Sequence, residues 1–138
     1  MQIVSEININ ASPEKIWAIL MDFKAYPEWN PFVKSISGDP VVGKHIHVVL
    51  PGMKFEPEVL VLEENREFRW KGKLLVKGLF DGEHYFVLEV MGDGVTRLLH
   101  GENFSGMLVP LFKKRLEGET LESFKAMNQG LKERAEGI

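Results

Sequence analysis

The chain opens on an alternation: Ile3, Ser5, Ile7 and Ile9 fall on one side of an extended backbone, and Val4, Glu6 and Asn8 on the other. This period of two marks a half-buried strand from Gln2 to Asn10. Ser12-Pro13-Glu14 then carries three helix-start signals. They are a hydroxyl to cap the first turn, a proline whose missing N–H is harmless at the first position, and an acid at the positive end of the dipole. The helix is expected to bury Ile16, Trp17, Ile19 and Leu20. In Tyr26-Pro27-Glu28-Trp29-Asn30-Pro31 two prolines push the residues before them out of the helical region, so one short helical turn fits between Asp22 and Trp29.

From Phe32 to Phe104 the pattern is strand after strand. The breaks are Gly38-Asp39-Pro40, Pro51-Gly52, Glu63-Glu64-Asn65, Lys77-Gly78 and Gly92-Asp93-Gly94. Six strands fit between these marks, the clearest being Glu67 to Leu75, Phe80 to Val90 and Thr96 to Phe104, with Gly92-Asp93-Gly94 as the hairpin between the last two. Beyond Pro110, Leu116, Thr120, Leu121, Phe124, Met127, Asn128, Leu131 and Ala135 recur at spacings of three and four. That stripe predicts one long C-terminal helix over residues 110–135.

The order is mixed α+β: a strand, two short helices, about six antiparallel strands and a long helix. Seven strands about 4.8 Å apart make a sheet roughly 34 Å wide, whereas one helix is about 10–12 Å across. The sheet must therefore curl around the helix, and the remaining concavity must be filled by side chains or by a ligand.

Composition narrows the functions by exclusion. With 138 residues, 44% hydrophobic and 27% charged, the chain reads as one ordinary globular domain over 1–138. A net charge of -3 argues against nucleic acid as a partner, and zero Cys removes disulfides, thiolate metal sites and cysteine nucleophiles. The start has no basic, apolar leader, and the longest apolar runs are six residues, Ile16 to Met21 and Met107 to Phe112. A cytoplasmic location with no membrane span is expected.

Ile7-Asn8-Ile9-Asn10-Ala11-Ser12-Pro13-Glu14-Lys15-Ile16-Trp17, followed by Asp22, Tyr26-Pro27 and Trp29-Asn30-Pro31, resembles the opening of the START-like, Bet v 1-like (SRPBCC) superfamily. Gly82-Glu83-His84-Tyr85-Phe86-Val87-Leu88-Glu89, Gly94-Val95-Thr96-Arg97-Leu98 and Glu102-Asn103-Phe104-Ser105-Gly106 are similar to its bacterial polyketide cyclase/dehydrase-like branch. The resemblance runs nearly end to end. It implies a helix-grip fold, in which a curved seven-stranded antiparallel sheet grips the last helix over a cavity. It places Trp29 and Phe32 near the mouth of that cavity.

Chemistry-bearing residues are few. His45 and His47 lie two apart and share a strand face, the minimal spacing for two metal ligands. With Ile46 and Val48 opposite and no third ligand nearby, solvated histidines and no metal are expected. His84, Phe86, Leu88 and Val90 share one face, as do Leu98, His100, Glu102 and Phe104 on the next strand. If both faces point inward, His84, His100 and Glu102 are polar groups in an apolar interior that must be partnered. They are the candidates for ligand orientation or proton transfer, against the plainer reading of groups that satisfy each other in a packed core.

Phe55, Trp70, Phe86, Phe104, Phe124 and Met127 are expected chiefly as core and also as pocket lining, with Trp29 and Phe32 at the mouth. The expected function is binding of a small hydrophobic or aromatic molecule between sheet and C-terminal helix, by a monomer or homodimer without a cofactor. The alternatives are a cyclase- or dehydratase-like enzyme in which His84 or His100 moves a proton and Glu102 orients it, and a protein-interaction module.

Overall fold

A computed structural model describes residues 1–74 and 78–137. Strand β1 (Gln2–Ile9) runs into α1 (Pro13–Met21), a 3₁₀ turn (Phe23–Ala25) and the short α2 (Tyr26–Trp29). Seven strands follow: β2 (Ser35–Ser37), β3 (His47–Leu50), β4 (Met53–Phe55), β5 (Glu58–Glu63), β6 (Glu67–Leu74), β7 (Phe80–Gly92) and β8 (Val95–Ser105). The chain ends in α3 (Val109–Arg115), a π-helical turn (Leu116–Thr120) and α4 (Leu121–Glu136). The α+β class, the two short helices after the first strand and the long last helix agree with the sequence pattern. The expected end of the sixth strand at Leu75 lies outside the described residues.

Seven strands follow α2 where six were expected, because the stretch after Pro51-Gly52 divides at Glu56-Pro57. Pro57 has no N–H to give to a ladder. The hydrogen-bonded order is β1-β8-β7-β6-β5 in a five-stranded antiparallel sheet and β2-β3-β4 in a smaller one. The two are joined along one stretch of chain. Gly43 N donates to Val59 O, Val59 N to Lys44 O and Ile46 N to Pro57 O, with a bridge between His45 and Glu58. The chain then leaves β5 and pairs with β2 and β4 through His47–Leu50.

The first strand buries the predicted side, Ile3, Ser5 and Ile9. At α1, Ser12 Oγ accepts from Lys15 N at 3.2 Å, and Ile16, Trp17 and Leu20 turn inward while Ile19 stays half-buried. The strand faces carrying Leu98, His100 and Phe104, and His84, Phe86 and Leu88, are buried as expected. Val90, still in register opposite Thr96, is exposed at the hairpin end of that stripe, just before the β7–β8 register shifts.

The last helix packs on β1 and β8 and on both short helices. Phe124, Met127, Asn128, Leu131 and Ala135 form its buried stripe. Its far end is tied to the first strand: Lys132 Nζ donates to Asn8 O at 2.8 Å, and Glu136 accepts from Asn10 N at 2.8 Å. Gly130 sits where the helix crosses α2, so closely that a Cβ there would collide with the Trp29 carbonyl. Gly118, in the π turn, faces open space.

The two helical glycines should respond oppositely to the same substitution. Gly118→Ala should stabilise the protein by up to about 1 kcal/mol through helix propensity. Gly130→Ala should destabilise it despite the same propensity gain, because backbone must move. Chemical denaturation of both variants measures the contrast.

Candidate functional site

The interior holds two apolar clusters. One contains Ile9, Ile16, Trp17, Leu20, Phe68, Trp70, Phe86, Leu88, Leu98 and Leu131. The other contains Ile3, Phe104, Val109, Leu116, Phe124 and Met127, with Phe32, Phe80 and Leu121 against it. Every element that crosses from one to the other does so through a polar residue. On β1 Ser5 lies between Ile3 and Ile9; on β8 His100 and Glu102 lie between Leu98 and Phe104. On β7 His84 lies between Phe80 and Phe86, and on α4 Asn128 lies between Phe124 and Leu131.

These five side chains form one hydrogen-bonded line. Ser5 Oγ donates to His100 O at 2.7 Å and accepts from Asn128 Nδ2 at 2.8 Å. Asn128 Oδ1 is 2.7 Å from His100 Nδ1, His100 Nε2 is 2.7 Å from His84 Nε2, and His84 Nδ1 is 3.1 Å from Glu102 Oε1. The imidazoles are wedged between rings. His100 stacks on Phe124 at 4.4 Å and Phe86 at 4.4 Å, and His84 stacks on Trp70 at 4.8 Å. Burial grades along the line: His100 is 0% exposed, while the side chains of His84 and Glu102 are 11% and 19% exposed. Glu102 is the end that solvent reaches.

Burial, and after it the neighbouring His84, hold the His100 imidazole well below its ordinary range. Hydrogen bonds to Asn128 and to the Phe124 backbone act the other way and are outweighed. His100 is therefore neutral at pH 7.

The sequence candidates His84, His100 and Glu102 are thus brought together. Asn128 and Ser5 were not singled out as site residues, although each is a polar residue on an otherwise apolar stripe. Gly82 was missed as well. A Cβ there would overlap Glu102 Oε2, so the glycine is what lets the carboxylate lie across β7. A glycine inside a long strand is the available signal.

Trp70, Phe86 and Phe124 are ring walls of the line, and Met127 and Phe104 lie in the second cluster. Trp29 is buried against Tyr26 at 4.8 Å, and Phe32 and Phe55 are half-buried at the edges of the second and first clusters. In the space expected to form a cavity, Trp70, Phe86 and Phe124 pack against the two imidazoles. Two recesses lie elsewhere, one of about 330 Å³ lined by Lys15, Ala18, Ile19, Asp22, Ala25 and Arg134, and one of about 200 Å³ at Glu28, Trp29, Gly130, Glu133 and Arg134.

His45 and His47 are both exposed, and His47 faces Glu56 at 3.2 Å. Among the described residues no three His, Asp or Glu side chains are grouped to hold a metal ion, and no helix is long and apolar enough to cross a membrane. An exposed apolar patch that the pattern did not locate lies before and along α3: Met107 is 79% exposed and Leu111 78%. Phe112 joins it and packs edge-on against Phe80, which in turn meets Phe104.

A sequence profile for a family described as polyketide cyclase / dehydrase and lipid transport matches residues 1–136. The chain belongs to this family. Solved structures agree on the fold of this polyketide cyclase/dehydrase and lipid transport family member. A START superfamily protein from Mycobacterium smegmatis superposes with a TM-score of 0.74 at 24% identity, covering 99% of this chain and 97% of that one. The Aha1 dimer from Colwellia psychrerythraea gives 0.77 at 23% identity, covering 99% and 96%. The di-domain ARO/CYC protein BexL from the BE-7585A biosynthetic pathway gives 0.76 at 6% identity, covering 95% of this chain and 46% of that one. No curated protein matches the chain.

Neutral burial of His100 has a signed consequence. Its folded value is below the unfolded value of about 6.5, so the unfolded chain takes up the proton first as pH falls. The contribution is fully present above about pH 6.5 and is lost below it, at up to about 1.4 kcal/mol per pH unit. Denaturation midpoints between pH 7.5 and 5.5 should fall more steeply for the wild type than for His100→Gln. Asn128→Leu, which strands the His100 N–H, should cost about 1–3 kcal/mol at neutral pH.

Proposed function

We propose that this domain binds a small apolar or aromatic molecule between the curved sheet and the C-terminal helix, at the Glu102 end of the polar line. The observation that carries the reading is that line itself. A row of polar side chains crosses an otherwise apolar interior and ends in a carboxylate on the strand face of Phe104, which meets Phe80 and through it Phe112 of α3. Ligand sites commonly combine apolar walls with a few placed polar groups. The family description, which names lipid transport, and the START superfamily relative support the same class.

A ligand reaching Trp70, Phe86 and Phe124 would enter by displacing side chains that pack on the imidazoles. On this side α3 buries only Val109 and meets β7 through the Phe112–Phe80 contact. The π turn behind it gives the helix a place to bend.

A second reading, acid–base catalysis of the cyclase or dehydratase kind, draws on the 3.1 Å contact between His84 and Glu102. Proton transfer by such a pair contributes about 10²–10⁴-fold to a rate.

Native mass spectrometry of the purified protein should show a bound small molecule. An added apolar ligand at a hundredfold excess over Kd should stabilise the fold by about 2.7 kcal/mol. No bound mass, together with no thermal shift across steroids, fatty acids and aromatic compounds, ends the binding reading. For the enzyme reading, His84→Gln should leave binding nearly intact and reduce turnover by about 10²-fold or more.

A further inference from the structure

We propose that the open end of the polar line is an acceptor site for a neutral apolar molecule bearing a hydroxyl, and that it turns carboxylates away. The proposal rests on the reading that ligand meets the fold at Glu102, and it follows from a count of protons.

The count starts at Ser5. Its one hydroxyl hydrogen goes to His100 O, so its oxygen can only accept from Asn128. Turning the Asn128 amide over would set two acceptors against each other at that contact. The amide orientation is therefore fixed, and Asn128 Oδ1 faces His100 Nδ1. An amide oxygen only accepts, so Nδ1 carries the hydrogen, and the neutral His100 ring has a bare Nε2.

His84 Nε2, 2.7 Å away, must then carry a hydrogen and donate it. The contact between His84 Nδ1 and Glu102 Oε1 needs a third hydrogen, held by one atom or the other. The Glu102, His84 and His100 side chains together thus hold one proton more than a carboxylate and two neutral imidazoles would, and their summed charge is zero.

Either placement of the third hydrogen leaves Glu102 Oε2 bare. That oxygen lies over Gly82, and no hydrogen bond to it is made among the described residues. In the strand pairing Gly82 stands opposite Phe104, so Oε2 lies on the side of Glu102 toward Phe104 and its neighbour Phe80. An apolar frame against these rings brings its polar group to an acceptor. A hydroxyl donates to it, and a carboxylate meets it acceptor to acceptor.

The test titrates the intact protein at pH 7 with three probes of one shape: naphthalene, 2-naphthol and 2-naphthoate. Expected is 2-naphthol tightest, about tenfold or more over 2-naphthoate, the ratio that one charge-assisted hydrogen bond supplies. Glu102→Gln places an N–H where Oε2 was and should abolish or reverse that preference. Equal or tighter binding of 2-naphthoate to the unaltered protein, or a preference unchanged in Glu102→Gln, overturns the proposal and leaves the binding reading standing. Binding of none of the three overturns this proposal, and the binding reading falls with it only when native mass spectrometry and the wider ligand screen are blank as well. Nitrogen-15 spectra of the histidine rings test the count without any variant. His100 should show a protonated Nδ1 and a bare Nε2, and the opposite tautomer overturns the proposal.

Discussion

The arrangement of this fold depends on one buried contact, the hydrogen bond between Asn128 on the last helix and His100 on the sheet. A helix laid on a concave apolar surface can slide and rotate with little penalty, because dispersion and apolar burial have no direction. A polar group among apolar ones removes that freedom, since any shift leaves a buried donor or acceptor unpaired. Asn128 can meet both Ser5 and His100 in one rotational setting of the helix. In that setting Phe124 and Leu131, three residues to either side of Met127 and Asn128, reach opposite clusters.

The π turn follows from the same constraint. Leu116 and Phe124 are eight residues apart, and at about 100° per residue a regular helix would place them roughly 80° out of line. Yet both are buried in the second cluster. The turn over Leu116–Thr120 takes one more residue per turn than an α-helix, which removes most of that offset. Farther along, Gly130 allows the helix to lie against the Trp29 carbonyl, while Lys132 and Glu136 hold its end to Asn8 and Asn10. The helix is thus located at its centre by hydrogen bonds, at its start by an extra residue, and at its end by a missing side chain and two polar ties.

Much of this was legible in the order of residues. Period two at Ile3 to Ile9, the Ser12-Pro13 helix start and the stripe from Leu116 to Ala135 each rest on local geometry, and local geometry is written in sequence. The inward face of His84, His100 and Glu102 was legible for the same reason. What escaped depends on contacts between distant segments. Ser5 and Asn128 are 123 residues apart, and nothing local marks them as partners. The role of Gly82 depends on Glu102 of the next strand, and the packing in the expected cavity depends on how Trp70, Phe86 and Phe124 stack on the imidazoles. The extra strand came from Pro57, which separates β4 from β5 and was not among the breaks read from the sequence.

The fold similarity and the polar line carry different information. Relatives at 24% and 6% identity share the architecture, so the curved sheet and its helix are compatible with widely different interiors. Folds of this breadth acquire function through the side chains placed in them. Here the polar line is assembled from three strands and one helix, with a ring against each imidazole, so its members constrain one another. Exchanging one member leaves its neighbour in the line unpaired. The line's less buried end is different: the rings of Phe80 and Phe104 take no part in the hydrogen bonds, so they can change while Glu102 and the histidine pair keep their partners and go on holding helix to sheet.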